Sequence, residues 1–141
     1  MKRAVMLSVF MGMASVAVAD EAEIDCDNAM NTLEINHCAG LELNAAQKEM
    51  QRYLAASYER QAEDAELVSA IQEAQQAWEV YAEAHCDSVF TQWRDGTIRG
   101  VMALSCRTQL TQERTHALWE NFLTYMDSSE PVLPEPKLPE R

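Results

Sequence analysis

The chain has no sustained alternation of apolar and polar residues, the pattern of a half-buried strand. Glycine and proline are scarce at four each, and every proline lies between Pro131 and Pro139. Basic residues are few, 11 Lys and Arg against 23 Asp and Glu. After Val18 no apolar stretch approaches the ~20 residues that a membrane-spanning helix needs. There is no nucleophile elbow, no Gly-rich phosphate loop and no His-Glu metal motif. Each absence excludes something. Without alternation the fold is not built on sheets. Nucleic-acid binding rests on Lys and Arg neutralising phosphates, so an acidic chain is a poor candidate for it. Carboxylates are plentiful, but on helices they read as solvated faces, whereas a general acid needs burial against apolar neighbours. The expectation is a non-enzymatic protein without cofactor or resident metal.

What is present starts at the N-terminus. "MKRAVMLSVFMGMASVAVAD" carries two basic residues, an apolar run from Ala4 to about Val18, and small residues before Asp20. That is the build of a secretory signal peptide, residues 1–19, cleaved after Ala19. No cysteine stands at the cut, so a lipid anchor is not expected. The mature chain is then Asp20–Arg141, an exported protein of a bacterial envelope, periplasmic or secreted, with no membrane anchor. Loss of Lys2 and Arg3 leaves nine basic residues against 23 acidic ones, a formal charge of −14. Such a surface favours solubility and steers a basic partner inward at low salt.

Two His-Cys pairs, His37-Cys38 and His85-Cys86, pose a choice between zinc ligands, an activated thiolate and disulfides. Adjacent helical residues diverge by ~100°, so a histidine and the next cysteine do not readily grip one ion. An exported, oxidising setting consumes free thiols, and four cysteines in so short a chain point to two disulfides. Cys26, Cys38, Cys86 and Cys106 are therefore read as staples.

Helical periodicity recurs throughout. "NTLE" at Asn31–Glu34 has the shape of a capping box. From Leu33 an apolar stripe runs through His37, Leu41, Ala45 and Ala46, Met50, Tyr53 and Leu54, Tyr58 and Ala62 at steps of three and four, predicting a helix over 31–62. A polar break, "QAEDAE", precedes a second helix over 65–87, carried by Leu67, Ile71, Trp78, Tyr81 and His85. The segment Asp87–Gly100 is read as a loop broken by Gly96 and Gly100. A third helix spans 101–126. The fold class is all-α: an antiparallel helical hairpin with a third packed helix, stapled by two disulfides. Residues 20–126 form the helical domain and 127–141 a proline-rich flexible tail. Trp78, Tyr81, Leu118 and Phe122 are the expected core. Arg114, on the apolar stripe of the third helix, is expected to pair with a carboxylate such as Glu34 or Glu83.

Twelve helical residues would separate Cys26 from Cys38 by ~18 Å, beyond the ~7 Å Cα limit of a bridge. With a helix beginning at Asn31, "DCDNAM" folds back to meet Cys38, and a loop brings Cys86 to Cys106. In a symmetric hairpin centred on residue 62, Cys38 would instead face Cys86 and leave Cys26 to Cys106. The local scheme is the expected one, with the crossed scheme as its competitor.

"DCDNAMNTLEINHCAGLELNAAQKEMQRYLAASY", "QQAWEVYAEAHC" and "GTIRGVMALSCRTQLTQERTHAL" together resemble the lysozyme inhibitor LprI-like family, over about residues 25–120. The second segment is similar to that family's Gln-x-x-Trp…Cys helix and the third to its closing Cys and Thr-x-x-Arg helix. Ala82 stands where the family often has Arg, and no Asn of its Leu-Asn pair is found near Lys48–Met50. The resemblance implies a small disulfide-stapled helical envelope protein, one branch of which inhibits lysozyme. A basic lysozyme-type muramidase is then the expected partner, and a different envelope partner the alternative. In the 87–100 segment Phe90, Trp93 and Arg94 are the candidate binding residues, of types enriched at binding hot spots. The competing reading folds Phe90 and Trp93 back over the core.

Overall fold

A computed structural model describes residues 24–138, so the expected signal peptide lies outside the described residues. They form a short 3-10 turn, Cys26–Asn28, and three α-helices: α1 Thr32–Arg60, α2 Ala65–Gln92 and α3 Arg99–Phe122. There is no strand among them. At the start of α1 the Asn31 side chain accepts the N–H groups of Leu33 and Glu34, both at 3.0 Å. The Glu34 carboxylate reaches back to the N–H groups of Met30 and Asn31, at 2.9 and 3.4 Å. The capping box read from "NTLE" is thus present. Asp64 caps α2 by accepting the N–H of Leu67 at 3.0 Å.

α1 and α3 run in the same direction, with α2 antiparallel to both. Asn36 meets Gly100 at one end. At the other, Arg60 Nη1 donates to the carbonyls of Phe122 and Thr124, at 2.7 and 2.8 Å. α1 lies closest to α3, and α2 also packs on α3, whereas the backbones of α1 and α2 stay apart. The sequence pairing of first helix against second is therefore corrected in one respect: α3 is the middle member. The cause is side-chain size. Ala39 and Ala46 of α1 and Ala103, Thr111 and Thr115 of α3 are buried, and small residues let two helix backbones approach. The buried hydroxyls do not lack partners. Ser57, Thr111 and Thr115 each donate to the carbonyl four residues back, at 2.7–2.8 Å, a local satisfaction open to Ser and Thr within a helix.

Met50, Tyr53, Leu54, Ile71, Leu118 and Leu123 make the core, with Trp78, Trp119, Phe122 and Leu133 packed against it. Leu118, Trp78 and Phe122 thus lie where expected. Tyr81 does not: it is 54% exposed and stacks on His85 with ring centroids 5.5 Å apart. The buried face of α2 runs through Ile71, Gln75, Ala82 and Cys86, and Tyr81 sits one position, ~100°, off that line. The upper part of the α1 stripe also turns outward, since Leu33 and Leu41 are exposed.

The bridges are Cys26–Cys38 and Cys86–Cys106, with Cα atoms 5.6 and 5.7 Å apart. In each His-Cys pair the cysteine is buried and the histidine exposed, the divergence expected of neighbours on a helix.

The proline-rich end differs from the free tail expected from its composition. Residues 131–136 run back over the core as a strap. Val132 N–H donates to Leu123 O at 2.9 Å. The Trp119 indole N–H donates to Leu133 O at 2.9 Å and the Tyr53 hydroxyl to Pro134 O at 2.6 Å. Leu133 packs on the core and Pro136 is buried. Prolines stop such a segment from joining a helix, but its carbonyls stay available, and buried Tyr and Trp need acceptors for their polar ends.

Candidate functional site

The first candidate is the α2–α3 turn. α2 continues five residues past its expected end, so Phe90 is helical and the non-helical link is only 93–98. The protruding loop expected over 87–100 is therefore a short turn beside the Cys86–Cys106 bridge. Cys86 is fully buried, which fixes the end of α2 to α3. Phe90 and Trp93 are 42% and 41% exposed, so neither folds away into the core. Arg94 Nη1 donates to the carbonyl of Thr91 at 3.3 Å, and Arg99 Nη1 to the carbonyl of Arg94 at 2.9 Å. The Arg99 guanidinium also lies over the Phe90 ring, 5.5 Å from its centroid. Beside them Phe90, Gly100, Ala103 and Leu104 line a depression of about 530 Å³. At its rim Arg107 pairs with Asp87 at 2.8 Å. Two half-exposed aromatic rings and two guanidinium groups thus stand on a backbone held by a disulfide.

The second candidate has no counterpart in the sequence pattern. Because α1 and α2 stand apart over α3, a cleft of about 550 Å³ opens between them, with Asn44, Gln47 and Gln51 on one wall, Trp78 and Glu79 on the other, and Thr111 on the floor. Asn44 directly follows buried Leu43 of α1. Beneath the cleft the Gln75-x-x-Trp78 and Thr111-x-x-Arg114 segments interlock. Arg114 Nε donates to Gln75 Oε1 at 3.1 Å, and Gln75 Nε2 donates to Glu79 Oε1 at 3.1 Å. Arg114 therefore reaches a carboxylate, but through the Gln75 amide, and the carboxylate is Glu79 in place of Glu34 or Glu83. Glu34 is engaged in the α1 cap.

Burial pulls the Arg114 guanidinium below its usual value, an effect the neighbouring Tyr58 opposes. The Tyr58 hydroxyl is raised, first by burial, with Arg114 acting against that and Glu79 adding to it. Neither site holds a nucleophile poised beside a base, and all four cysteines are in disulfides.

Among the described residues no helix is long and apolar enough to cross a membrane. The sequence model of the family described as lysozyme inhibitor LprI matches residues 25–118. That span contains both disulfides, the α2–α3 turn and the cleft, and ends before the strap. An uncharacterised protein of Rhizobium meliloti (strain 1021) is 29% identical over 125 residues, covering 81% of this chain and 90% of the relative. No solved structure matches the chain.

Proposed function

We propose, from the premise that this chain belongs to the lysozyme inhibitor LprI family, that it is an exported, non-enzymatic binding protein that inhibits a basic lysozyme-type muramidase. The observation that carries the reading is the extent of the family match, which takes in both staples and the surfaces they position. Two physical features support it. The formal charge of −12 for the whole chain suits a basic partner, for which it would raise the rate of encounter. The α2–α3 turn offers Phe90, Trp93 and Arg94 on a backbone that loses little freedom on binding, and preorganisation of that kind improves affinity. Arg94 would meet a carboxylate in the enzyme's cleft, while the two rings fill its apolar walls.

The test is a calorimetric titration of the oxidised protein, lacking residues 1–19, against lysozymes of several structural types. It is run at low and physiological salt and paired with a cell-wall lysis assay. Saturable binding at physiological salt with loss of lysis is expected. Phe90→Ala and Trp93→Ala should each weaken binding at least tenfold, the cost typical of a hot-spot side chain. Binding seen only at low salt would mean acid meeting base without a specific complex. No binding to any member of the panel would end the lysozyme reading and direct the search to another envelope partner.

A further inference from the structure

The strap docks in a manner that goes beyond covering the core. Residues 130–136 read Glu-Pro-Val-Leu-Pro-Glu-Pro. Proline fixes its own φ near −65°, and the residue before a proline is pushed toward extended or polyproline backbone. Leu133, Pro134, Glu135 and Pro136 are all governed by those two rules, so the chemistry of the segment itself dictates an extended form with unpaired carbonyls. The surface that receives it supplies what such a segment needs. The Trp119 indole N–H and the Tyr53 hydroxyl donate to two successive carbonyls, those of Leu133 and Pro134. The core side chains beneath take Leu133, and His116 Nε2 faces Glu135 Oε1 at 3.2 Å. His116 and Trp119 form one aromatic face, their centroids 5.3 Å apart. Aromatic grooves whose ring donors meet the carbonyls of proline-rich chains are a recurrent mode of peptide recognition, economical because the ligand loses little freedom.

We propose that the groove of Tyr53, His116 and Trp119 is a binding site for proline-rich segments of other proteins, of the type Leu-Pro-acidic-Pro. In the unbound protein its own residues 131–136 occupy it. The resident strap defines the ligand chemistry: an aliphatic side chain for the core, a carbonyl on either side of the Leu-Pro junction, and a carboxylate for His116. The strap is suited to exchange. Beyond Leu133 and Pro136 its side chains are exposed or only partly covered, and residues 124–130, which lead into it, are neither helix nor strand. A second copy of this chain is the less favoured occupant, because two bodies each carrying a formal −12 repel one another,. This site is independent of the lysozyme reading.

The experiment uses the full chain with its tryptophan indoles labelled for NMR. Leu133→Asp should detach the strap and move the Trp119 indole resonance away from its hydrogen-bonded position. A synthetic peptide of residues 130–138 is then titrated in. The expected result is saturable return of that resonance, with a peptide carrying Ala for Pro134 and Pro136 binding at least tenfold more weakly. Adding Trp119→Phe, with binding then followed by calorimetry because the reporter indole is gone, should weaken the parent peptide by a similar factor. Should Leu133→Asp prevent folding, the wild-type chain is titrated with the same peptide carrying a nitroxide spin label, whose binding broadens the Trp119 indole resonance, with the resident strap competing at an effective concentration on the order of millimolar. Absence of saturation in a chain with intact helices overturns the proposal, as does equal binding of the alanine peptide. Concentration-dependent dimers formed by strap exchange between copies would overturn it in favour of a second copy of this chain.

Discussion

At the scale of single residues, the centre of the molecule is organised by the run from Arg114 through Gln75 to Glu79. Sequence periodicity places Arg114 on an inward face but does not fix its partner, which is Gln75 and not the expected Glu34 or Glu83, since a partner on another helix depends on how the helices rotate. Tyr81 departs from expectation for the same reason: a helix stripe read to within one residue is uncertain by ~100°, enough to carry a ring from core to surface. Arg114→Ala should lower stability by roughly 1–3 kcal/mol, because it leaves the buried Gln75 carbonyl oxygen without its donor. In a Gln75→Leu background the same change should cost distinctly less, the signature of two residues in one network. Thermal denaturation of the four proteins measures both, and an unchanged melting temperature in Arg114→Ala would refute the network's structural role. Burial raises Tyr53 and Tyr58 above their ordinary values. A group raised in the folded state binds its proton more tightly there than in the unfolded chain. The resulting stability is complete below about pH 10, the unfolded phenol range, and is lost as pH rises through the higher folded values. The melting temperature should therefore fall through that alkaline window, and fall less in Tyr58→Phe.

At the scale of elements, the three helices and the cap of the first are legible in the sequence because their signals are local: the Asn31–Glu34 box, the polar break at 61–64 and the spacing of apolar residues. The ends are less legible. α2 overruns its expected end because the disulfide brings Asp87–Gln92 alongside α3, giving that last turn and a half a partner that no local pattern reveals. Gly100, by composition a helix breaker, lies inside α3, where a Cβ would come within 2.8 Å of Asn36 Oδ1. Glycine there serves the close approach of α1. Gly100→Ala alone should lower the melting temperature, whereas in an Asn36→Ala background it should raise it. Removing the clash leaves only the helix-propensity gain of Ala over Gly, roughly 1 kcal/mol. Asn31→Ala should cost about 1 kcal/mol, measured by urea denaturation. Glu34 is held below its ordinary value chiefly by the N–H groups of Met30 and Asn31. The cap should accordingly weaken as pH falls below the usual carboxylate range, since a depressed carboxylate stabilises the fold only while ionised.

At the scale of the whole molecule, fold class, disulfide pairing and family are legible in the amino-acid sequence, because each rests on composition, spacing or ordered landmarks. The cleft and the strap are not, since both arise where helices distant in sequence stand apart or expose a donor. If the acidic surface steers a basic lysozyme, raising ionic strength should slow association far more than it speeds dissociation. Stopped-flow kinetics across a salt series tests this, and a purely dissociative salt effect would contradict it. The disulfide pattern also bears on how the molecule is made. Four cysteines can pair in three ways, and this fold uses the one in which each cysteine joins its nearest neighbour along the chain, 12 and 20 residues apart. An oxidase that closes bonds in the order the thiols emerge from an export channel would then make both correctly at the first attempt. The protein should mature without help from a disulfide isomerase.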